Sequence, residues 1–193
     1  MDLAVTLRIQ GRRSKVLGLV MRAASWPGFP PQSRVLPAAV IAAWLASGRP
    51  RAAGFQGAAW GSALLSTIVK TLVRRPRPVP PQVLVVVAPL GGTSFPSGHV
   101  LTYTGFYGFL AYLVASHVWP AALRRAIVGG LAILIVLVGP SRIQQGHHWP
   151  TDVSASYLLG LAYVLALAVL YERGRASAVC DSWPGRSLRR WRS

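Results

Sequence analysis

Three short segments, far apart in the sequence, contain almost every polar side chain that could handle a phosphate group. They read Lys70-x6-Arg77-Pro78, Pro96-Ser97-Gly98-His99 and Ser141-Arg142-x5-His148-x3-Asp152. The sequence around them is apolar, and the chain has only 4 acidic residues. An ionisable side chain is costly to keep in such surroundings, so we expect these segments to have a function.

The third segment has the most specific spacing. His148 and Asp152 lie four residues apart, and Pro150 between them indicates a helix that begins at about Trp149. Asp152 can then accept a hydrogen bond from one ring nitrogen of His148 and leave the other nitrogen unprotonated. This predicts a histidine nucleophile with an orienting carboxylate. A buried pair with a purely structural role is the alternative, and the adjacent His147 competes for the same task.

Lys70, Arg77 and Arg142 are the candidate ligands of an anion. Arginine presents a planar fork that matches phosphate oxygens, and lysine presents a mobile point charge. For Lys70 the alternative is a cluster at the membrane edge, where long basic side chains extend towards water. We assign Arg75 to that edge.

The second segment predicts the start of a helix. Ser97 is either an ordinary N-cap or, with the amide of Gly98, part of an anion site, because free amides at a helix amino terminus point at a ligand. His99, in the first turn, would then face the anion. A zinc site built from His99, His147, His148 and Asp152 is a further alternative. The neighbouring cations would repel a metal ion, so we predict that none is bound.

The composition predicts a membrane protein. Hydrophobic residues make up 52% and charged residues 13% of the 193 residues, whereas a soluble domain has roughly 25% charged residues. The net charge is +17, but the arginines cluster at the ends of apolar runs. That pattern favours anionic lipid headgroups and membrane lipids as partners, and argues against nucleic acid. The single cysteine excludes an internal disulfide.

We expect an all-α fold, a transmembrane bundle of five to six helices. Four apolar runs approach the ~20 residues that a spanning helix needs, and a fifth is weaker; they are 53–73, 98–118, 121–140, 153–171 and 35–48. Residues 16–29 are too short to span and are predicted to form an amphipathic anchor. Residues 83–88 are predicted to lie in a loop at the interface. The chain is expected to be one domain, 1–193, with an uncertain anchor at 1–30 and a basic tail at 173–193.

Helix counting predicts that the three segments meet. Two spans separate the first two segments from the third, and an even number of crossings returns the chain to the same side. The opposite side, with loops 48–52 and 119–125 and the tail, has more arginines. The positive-inside rule therefore predicts a multi-pass protein of the cell membrane whose active face lies outside the cytoplasm.

Together, the three segments resemble the signature of the type 2 phosphatidic acid phosphatase family, relatives of the vanadium haloperoxidases. That signature reads K-x6-RP, PSGH and SR-x5-H-x3-D, and residues 70–152 match it at every fixed position. Only His148, and not His147, stands at the required spacing. The amino terminus departs from the family pattern, since membrane members commonly have six spans and here the first is short or missing.

The resemblance implies an acid phosphatase that hydrolyses a lipid phosphate monoester or diphosphate without a metal or another cofactor. The substrate would be of the phosphatidate, phosphatidylglycerol phosphate or undecaprenyl diphosphate class. His148 would attack phosphorus to give a phosphohistidine, Asp152 would hold its tautomer, and His99 would act as acid and base. The phosphate oxygens would be held by Lys70, Arg77, Ser97, Gly98 and Arg142.

Two other functions remain as alternatives. One is a catalytically silent membrane protein that binds anionic lipid phosphates, although none of the three predicted catalytic residues is lost. The other is a haloperoxidase-like enzyme with bound vanadate, which the apolar helices argue against. The sequence does not distinguish among the lipid substrates, and it leaves the oligomeric state open.

Overall fold

A computed structural model describes residues 1–11, 14–86, 91–118 and 120–181, with side chains up to residue 174. Every regular element in these ranges is a helix, which confirms the all-α prediction. In chain order the elements are α1 (Asp2–Gly11), α2 (Lys15–Ser25), a 3-10 turn (Trp26–Gly28), α3 (Gln32–Ala46), α4 (Pro50–Trp60), α5 (Ser62–Val73), α6 (Gly98–Thr102), a π-helical turn (Tyr103–Tyr107), α7 (Gly108–His117), α8 (Ala121–Gln144) and α9 (Pro150–Asp181).

Among the described residues, two helices are long and apolar enough to cross a bilayer. They are Ala121–Gln144 and Pro150–Gly174, with mean hydropathies of 2.2 and 2.1. Only 6% and 22% of their apolar windows are buried, whereas the core helix of a soluble protein would be mostly covered. Exposed side chains such as Val136 and Leu158 form an apolar outer surface, which lipid rather than water would solvate. These two helices agree with a membrane protein, and the predicted total of five to six spans stays a prediction.

The predicted span 53–73 is interrupted. It is divided between α4 and α5, which meet at Gly61. The hydroxyl of Tyr163 donates to the carbonyl of Ala58 at 2.7 Å and occupies the space beside Gly61, where a Cβ would lie 3.0 Å from that hydroxyl. A side chain inserted into the helical hydrogen-bond ladder is a recognised cause of a kink. By contrast, the predicted span 98–118 forms one nearly continuous rod from α6 through the π-helical turn to α7.

The amino-terminal segment joins the bundle. Helix α2 packs against α8 through buried Met21, Ala24 and Ser25, while Val16 and Leu19 are exposed. The helix therefore has a buried side and an exposed apolar side, and the amphipathic anchor stays a prediction. Its 11 residues are about 16 Å long, which is about half the thickness of a bilayer core.

Within the described residues, the core consists of two hydrophobic clusters. One contains Trp44, Phe109 and Leu113. The other contains Tyr103 and Phe106, in the π-helical turn that follows α6. The segment predicted as an interfacial loop, 83–88, is non-helical where it is described, and residues 87–90 lie outside the described ranges. Most of the predicted basic tail also lies outside the residues whose side chains are described.

Candidate active site

The three sequence segments meet, and hydrogen bonds connect them. Lys70, in the last turn of α5, donates from Nζ to the carbonyl of Pro96 at 2.7 Å, which joins the first segment to the second. Arg77 donates from Nη1 to the carbonyl of His147 at 2.8 Å, which joins the first segment to the third. The loop between α5 and α6, the start of α6, the end of α8 and the start of α9 thus form one polar site.

The end of α8 is a turn that positions both histidines. Gly146 has a φ of 75°. Its N–H donates to the carbonyl of Ile143 at 3.0 Å, and the N–H of His147 donates to that of Arg142 at 3.1 Å. These two bonds are the Schellman motif. A Cβ at Gly146 would also meet the carbonyl of Leu84, so both the conformation and the space require glycine.

The ring of His148 is neutral, with its proton on Nδ1. Its Nδ1 lies 2.6 Å from the carbonyl oxygen of Ser94, which can only accept, so the proton is on Nδ1 and Nε2 is free of hydrogen. Nε2 lies 3.4 Å from Nη1 of Arg77. Burial lowers the pKa of His148 to about 4, even though the Asp152 carboxylate raises it. The charges of Arg77 and Lys70 lower this pKa further, so the ring is neutral at pH 7.

Asp152 has a different geometry from the predicted one. Its Oδ2 lies 3.8 Å from Nδ1 of His148, which is beyond ordinary hydrogen-bond length. Oδ2 instead accepts the backbone N–H of Trp149 at 2.9 Å, as an acid at the third helical position does for the N-cap. Oδ1 accepts from Nη1 of Arg75 at 2.5 Å. Ser94, rather than Asp152, therefore holds the Nδ1–H of His148, and Asp152 acts on the ring through its charge.

Arg142 is fully buried at the end of α8. Its Nη1 donates to Oε1 of Gln145 at 2.9 Å and to the hydroxyl of Ser25 at 3.3 Å, and its Nη2 contacts Nδ1 of His147. The ring of Phe29 lies 5.3 Å from the guanidinium carbon, within the range of a cation–π contact. Its Nε has no hydrogen-bond partner among the described residues, so one donor is left for a ligand.

Ser97 does not act as an ordinary N-cap. Its hydroxyl makes no capping hydrogen bond, and its backbone N–H donates to the hydroxyl of Ser156 at 2.8 Å. Within the described residues, Oγ of Ser97 and Nε2 of His99 are both buried without a hydrogen-bond partner. Gly98 lies so close to α5 that a Cβ would be 3.3 Å from Oγ of Ser66. The second segment therefore offers a hydroxyl and an imidazole nitrogen to a ligand.

A cavity of about 380 Å³ adjoins these groups. Its polar lining includes Lys70, Gly98 and His99. Most of the remaining lining is apolar or aromatic, and includes Pro37, Trp60 and Phe106. The cavity therefore combines the cationic and imidazole groups of a phosphate site with a surface suited to a hydrocarbon chain.

Sequence reasoning missed two contributors to this site. It assigned Arg75 to the membrane edge, but Arg75 pairs with the buried Asp152 and also with Asp2, at 2.7 Å. Asp2 is one of only 4 acids in the sequence, and this scarcity could have indicated that it pairs with a basic side chain such as Arg75. Ser94 was missed for a different reason, because its carbonyl oxygen is the functional atom and any residue type supplies one.

The metal alternative has no support from this arrangement. Across the described part of the chain, no three His, Cys, Asp or Glu side chains form a group that could hold a metal ion. Of the four predicted zinc ligands, His147 contacts the Arg142 guanidinium and Asp152 pairs with Arg75.

Comparison with known proteins identifies relatives. Phosphatidylglycerophosphatase B of Bacillus subtilis is 34% identical over 102 residues, 51% of this chain and 47% of the relative. Decaprenylphosphoryl-5-phosphoribose phosphatase of Mycobacterium tuberculosis is 35% identical over 99 residues, 50% of this chain and 48% of the relative. The matched region thus spans about half the length of these curated relatives.

A solved structure has the same fold. The crystal structure of a transmembrane PAP2-type phosphatidylglycerolphosphate phosphatase from Bacillus subtilis superposes with a TM-score of 0.78 at 24% identity. The superposition covers 89% of this chain and 85% of the other. The model of the PAP2 superfamily matches residues 52–175. That range contains all three segments, which confirms the resemblance, and because it makes up more than half of the sequence, the chain belongs to the PAP2 superfamily.

Proposed function

We propose that this protein hydrolyses a lipid phosphate monoester or diphosphate. The observation that carries the proposal is a set of three cations around His148. Arg77 lies 3.4 Å from its Nε2, Lys70 donates to the carbonyl of Pro96, and Arg142 contacts the adjacent His147. Among the described residues, none of the three has a carboxylate partner. Burying an unpaired charge costs several kcal/mol, and a phosphate group between these cations would supply the missing negative charge.

The reaction we propose has two steps. Nε2 of His148 attacks phosphorus in line, the P–N bond forms, and the bond from phosphorus to the leaving oxygen breaks. His99 gives a proton to that oxygen. In the second step His99 takes a proton from water, the water oxygen bonds to phosphorus, and the P–N bond breaks to release phosphate. The equatorial oxygens are held by Lys70, Arg77, Arg142, Ser97 and the amide of Gly98.

The local geometry supports these roles. Ser94 holds the Nδ1 proton of His148, so Nε2 carries the lone pair. That lone pair faces Nη1 of Arg77 at 3.4 Å, on the side where Arg77 would hold a phosphate oxygen. His99 Nε2 is buried and makes no hydrogen bond to any described residue, as expected of a group whose partner is the leaving oxygen or water. Such donors and acceptors are already in place before the substrate binds, which is the source of electrostatic catalysis.

The substrate class is inferred from location and relatives. A phosphate site beside an apolar cavity and lipid-facing helices suits an amphiphile whose phosphate lies at headgroup depth. The relatives are named as phosphatases of phosphatidylglycerophosphate and of decaprenylphosphoryl-5-phosphoribose. The substrates to test are phosphatidate, phosphatidylglycerol phosphate and undecaprenyl diphosphate. We also propose that the chain is a single domain and that its catalytic face lies outside the cytoplasm.

The test is phosphate release from these three lipids by detergent-purified protein. We expect release from at least one of them, its loss in His148→Ala, and its retention in His117→Ala, because His117 lies at the far end of the α6–α7 rod from the site. Phosphate release that persists in His148→Ala would refute the assignment of His148 as the nucleophile. Saturable binding of all three lipids without release would support the catalytically silent alternative.

A further inference from the structure

A second charged network lies behind the site, at the start of α9. Arg75 donates from Nη1 to Oδ1 of Asp152 at 2.5 Å and from Nη2 to Oδ2 of Asp2 at 2.7 Å. A single guanidinium therefore bridges two carboxylates. Asp152 is fully buried, whereas the Arg75 side chain is 31% exposed and that of Asp2 18%. The network is thus anchored inside the site and extends to helix α1.

Asp2 also binds the first turn of α9 directly. The backbone N–H of Thr151 donates to its Oδ1 at 3.1 Å, and the Thr151 hydroxyl donates to its Oδ2 at 2.7 Å. The first amides of a helix have no partner within the helix, and a carboxylate near them is stabilising. Asp2 takes one of these amides, and Asp152 accepts the N–H of Trp149, which precedes the helix. Two acids and one arginine thus define how α9 begins.

The first turn of α9 in turn positions the catalytic groups. The hydroxyl of Ser156 donates to the Asp152 carbonyl at 2.6 Å and accepts the N–H of Ser97 at 2.8 Å. Asp152 holds the backbone of Trp149, the residue after His148. A shift of this turn would therefore move both the phosphate-binding segment and the nucleophile.

We propose that Asp2 and Arg75 are positioning residues of the active site: through the bridge that Arg75 makes between Asp2 and Asp152, helix α1 fixes the first turn of α9 and the orientation of His148. Neither residue touches the reacting atoms. This inference rests on the proposed phosphatase function, because it assigns how that site is held in its reactive geometry.

The experiment is a double-mutant cycle with Asp2→Ala, Arg75→Ala and the double variant. Arg74→Ala is the matched control, since Arg74 is the exposed neighbour and its Nε donates to Thr71 in its own helix. We expect Arg75→Ala to lower kcat by about tenfold to 100-fold, the range for small misplacements of reacting groups, with KM changed less than about twofold. Asp2→Ala should lower kcat less. The double variant should lose more than Arg75→Ala, because Asp2 also bonds Thr151 directly, but less than the product of the two single losses, because residues in one network are not additive.

A conservative variant shows whether the bridge between the two carboxylates or only the positive charge of Arg75 is needed. Arg75→Lys keeps the positive charge, but one ammonium group cannot span both carboxylates, so it should lose kcat almost as Arg75→Ala does. Recovery of wild-type kcat in Arg75→Lys would overturn the bridging role. If Arg75→Ala does not fold, Asp2→Asn and Arg75→Lys complete the same cycle.

A second readout is independent of turnover. In protein labelled with ¹⁵N-histidine, the ring signals of His148 should shift in Asp2→Ala and in Arg75→Ala and stay in place in Arg74→Ala. A wild-type protein that releases no phosphate would refute the proposed function, and these shifts would still decide the positioning role. Unmoved His148 signals in both variants, or additive losses of kcat, would overturn the inference.

Discussion

Replacement of Arg77 by lysine tests the anion site most directly. The guanidinium of Arg77 donates to the carbonyl of Gly91 at 3.2 Å and to that of His147 at 2.8 Å, and lies 3.4 Å from Nε2 of His148. A lysine ammonium can keep one of these positions but not all three. It also lacks the fork that binds two phosphate oxygens at once.

The magnitude follows from these contacts. Loss of one preorganised donor to the transition state costs about 2.7–4 kcal/mol, or about 100-fold to 1,000-fold in kcat. The folded state loses one or two hydrogen bonds to backbone carbonyls, at about 0.5–1.5 kcal/mol each. Arg77→Lys should therefore damage catalysis much more than it damages stability.

The assay compares kcat/KM for phosphate release with the thermal unfolding midpoint of the same detergent-purified samples. Arg74→Lys is the matched control and should change neither quantity. A decrease of less than about fivefold in kcat/KM for Arg77→Lys, or an equal decrease in the control, would show that general positive charge is sufficient and that the specific clamp is not needed.

Four further outcomes are expected. Arg142→Lys should lower both kcat/KM and the unfolding midpoint, because it deprives Gln145 and Ser25 of a fully buried donor; a loss of activity with unchanged stability would contradict its buried role. His99→Ala should retain more of the first step with p-nitrophenyl phosphate than with a lipid phosphate, and rapid-quench trapping should detect a phosphohistidine, because a good leaving group needs little protonation. Equal losses on both substrates would argue against His99 as the acid. His147→Ala should lower the unfolding midpoint and reduce activity, since the ring contacts Arg142, but a phosphoenzyme should still be trapped. Loss of the phosphoenzyme would mean that His147, and not His148, could be the nucleophile. The free energy of unfolding should decrease as the pH is lowered from about 6.5 towards about 4. Burial lowers the pKa of His148 to about 4, so the unfolded state binds the proton first. Urea titrations in which wild type and His148→Gln show the same pH dependence would refute that pKa.

The sequence predicted that the three polar segments meet, as they do, for a physical reason. A chain with 13% charged residues keeps few ionisable groups away from water, so those in apolar surroundings are candidates for function. The crossing count added that Lys70, Arg77, His99 and His148 share a face. Both arguments depend on residue types and on helix length, which a sequence displays directly.

The errors arose where position in space decides the role. Arg75 and Arg77 are separated by one proline and look alike in sequence, yet Arg77 faces His148 and Arg75 faces Asp152. The break at Gly61 was missed because it depends on Tyr163, a residue of α9 that donates into the α4–α5 junction. Neither contact has a local signature, since each joins residues far apart in the chain.

The geometry also gives to Ser94 the task that the sequence analysis assigned to Asp152, which is to hold the Nδ1–H of His148. A carboxylate bonded directly to Nδ1 would stabilise a protonated imidazole, and it would raise the pKa of a nucleophile that must stay neutral. Here the neutral carbonyl of Ser94 takes the Nδ1–H, and the charge of Asp152 is matched by Arg75. His148 can therefore stay unprotonated among Lys70, Arg77 and Arg142 before a substrate arrives. In the proposed reaction, the negative charge of an entering phosphate would compensate the cations, and the imidazole of His148 would become more basic as it began to attack.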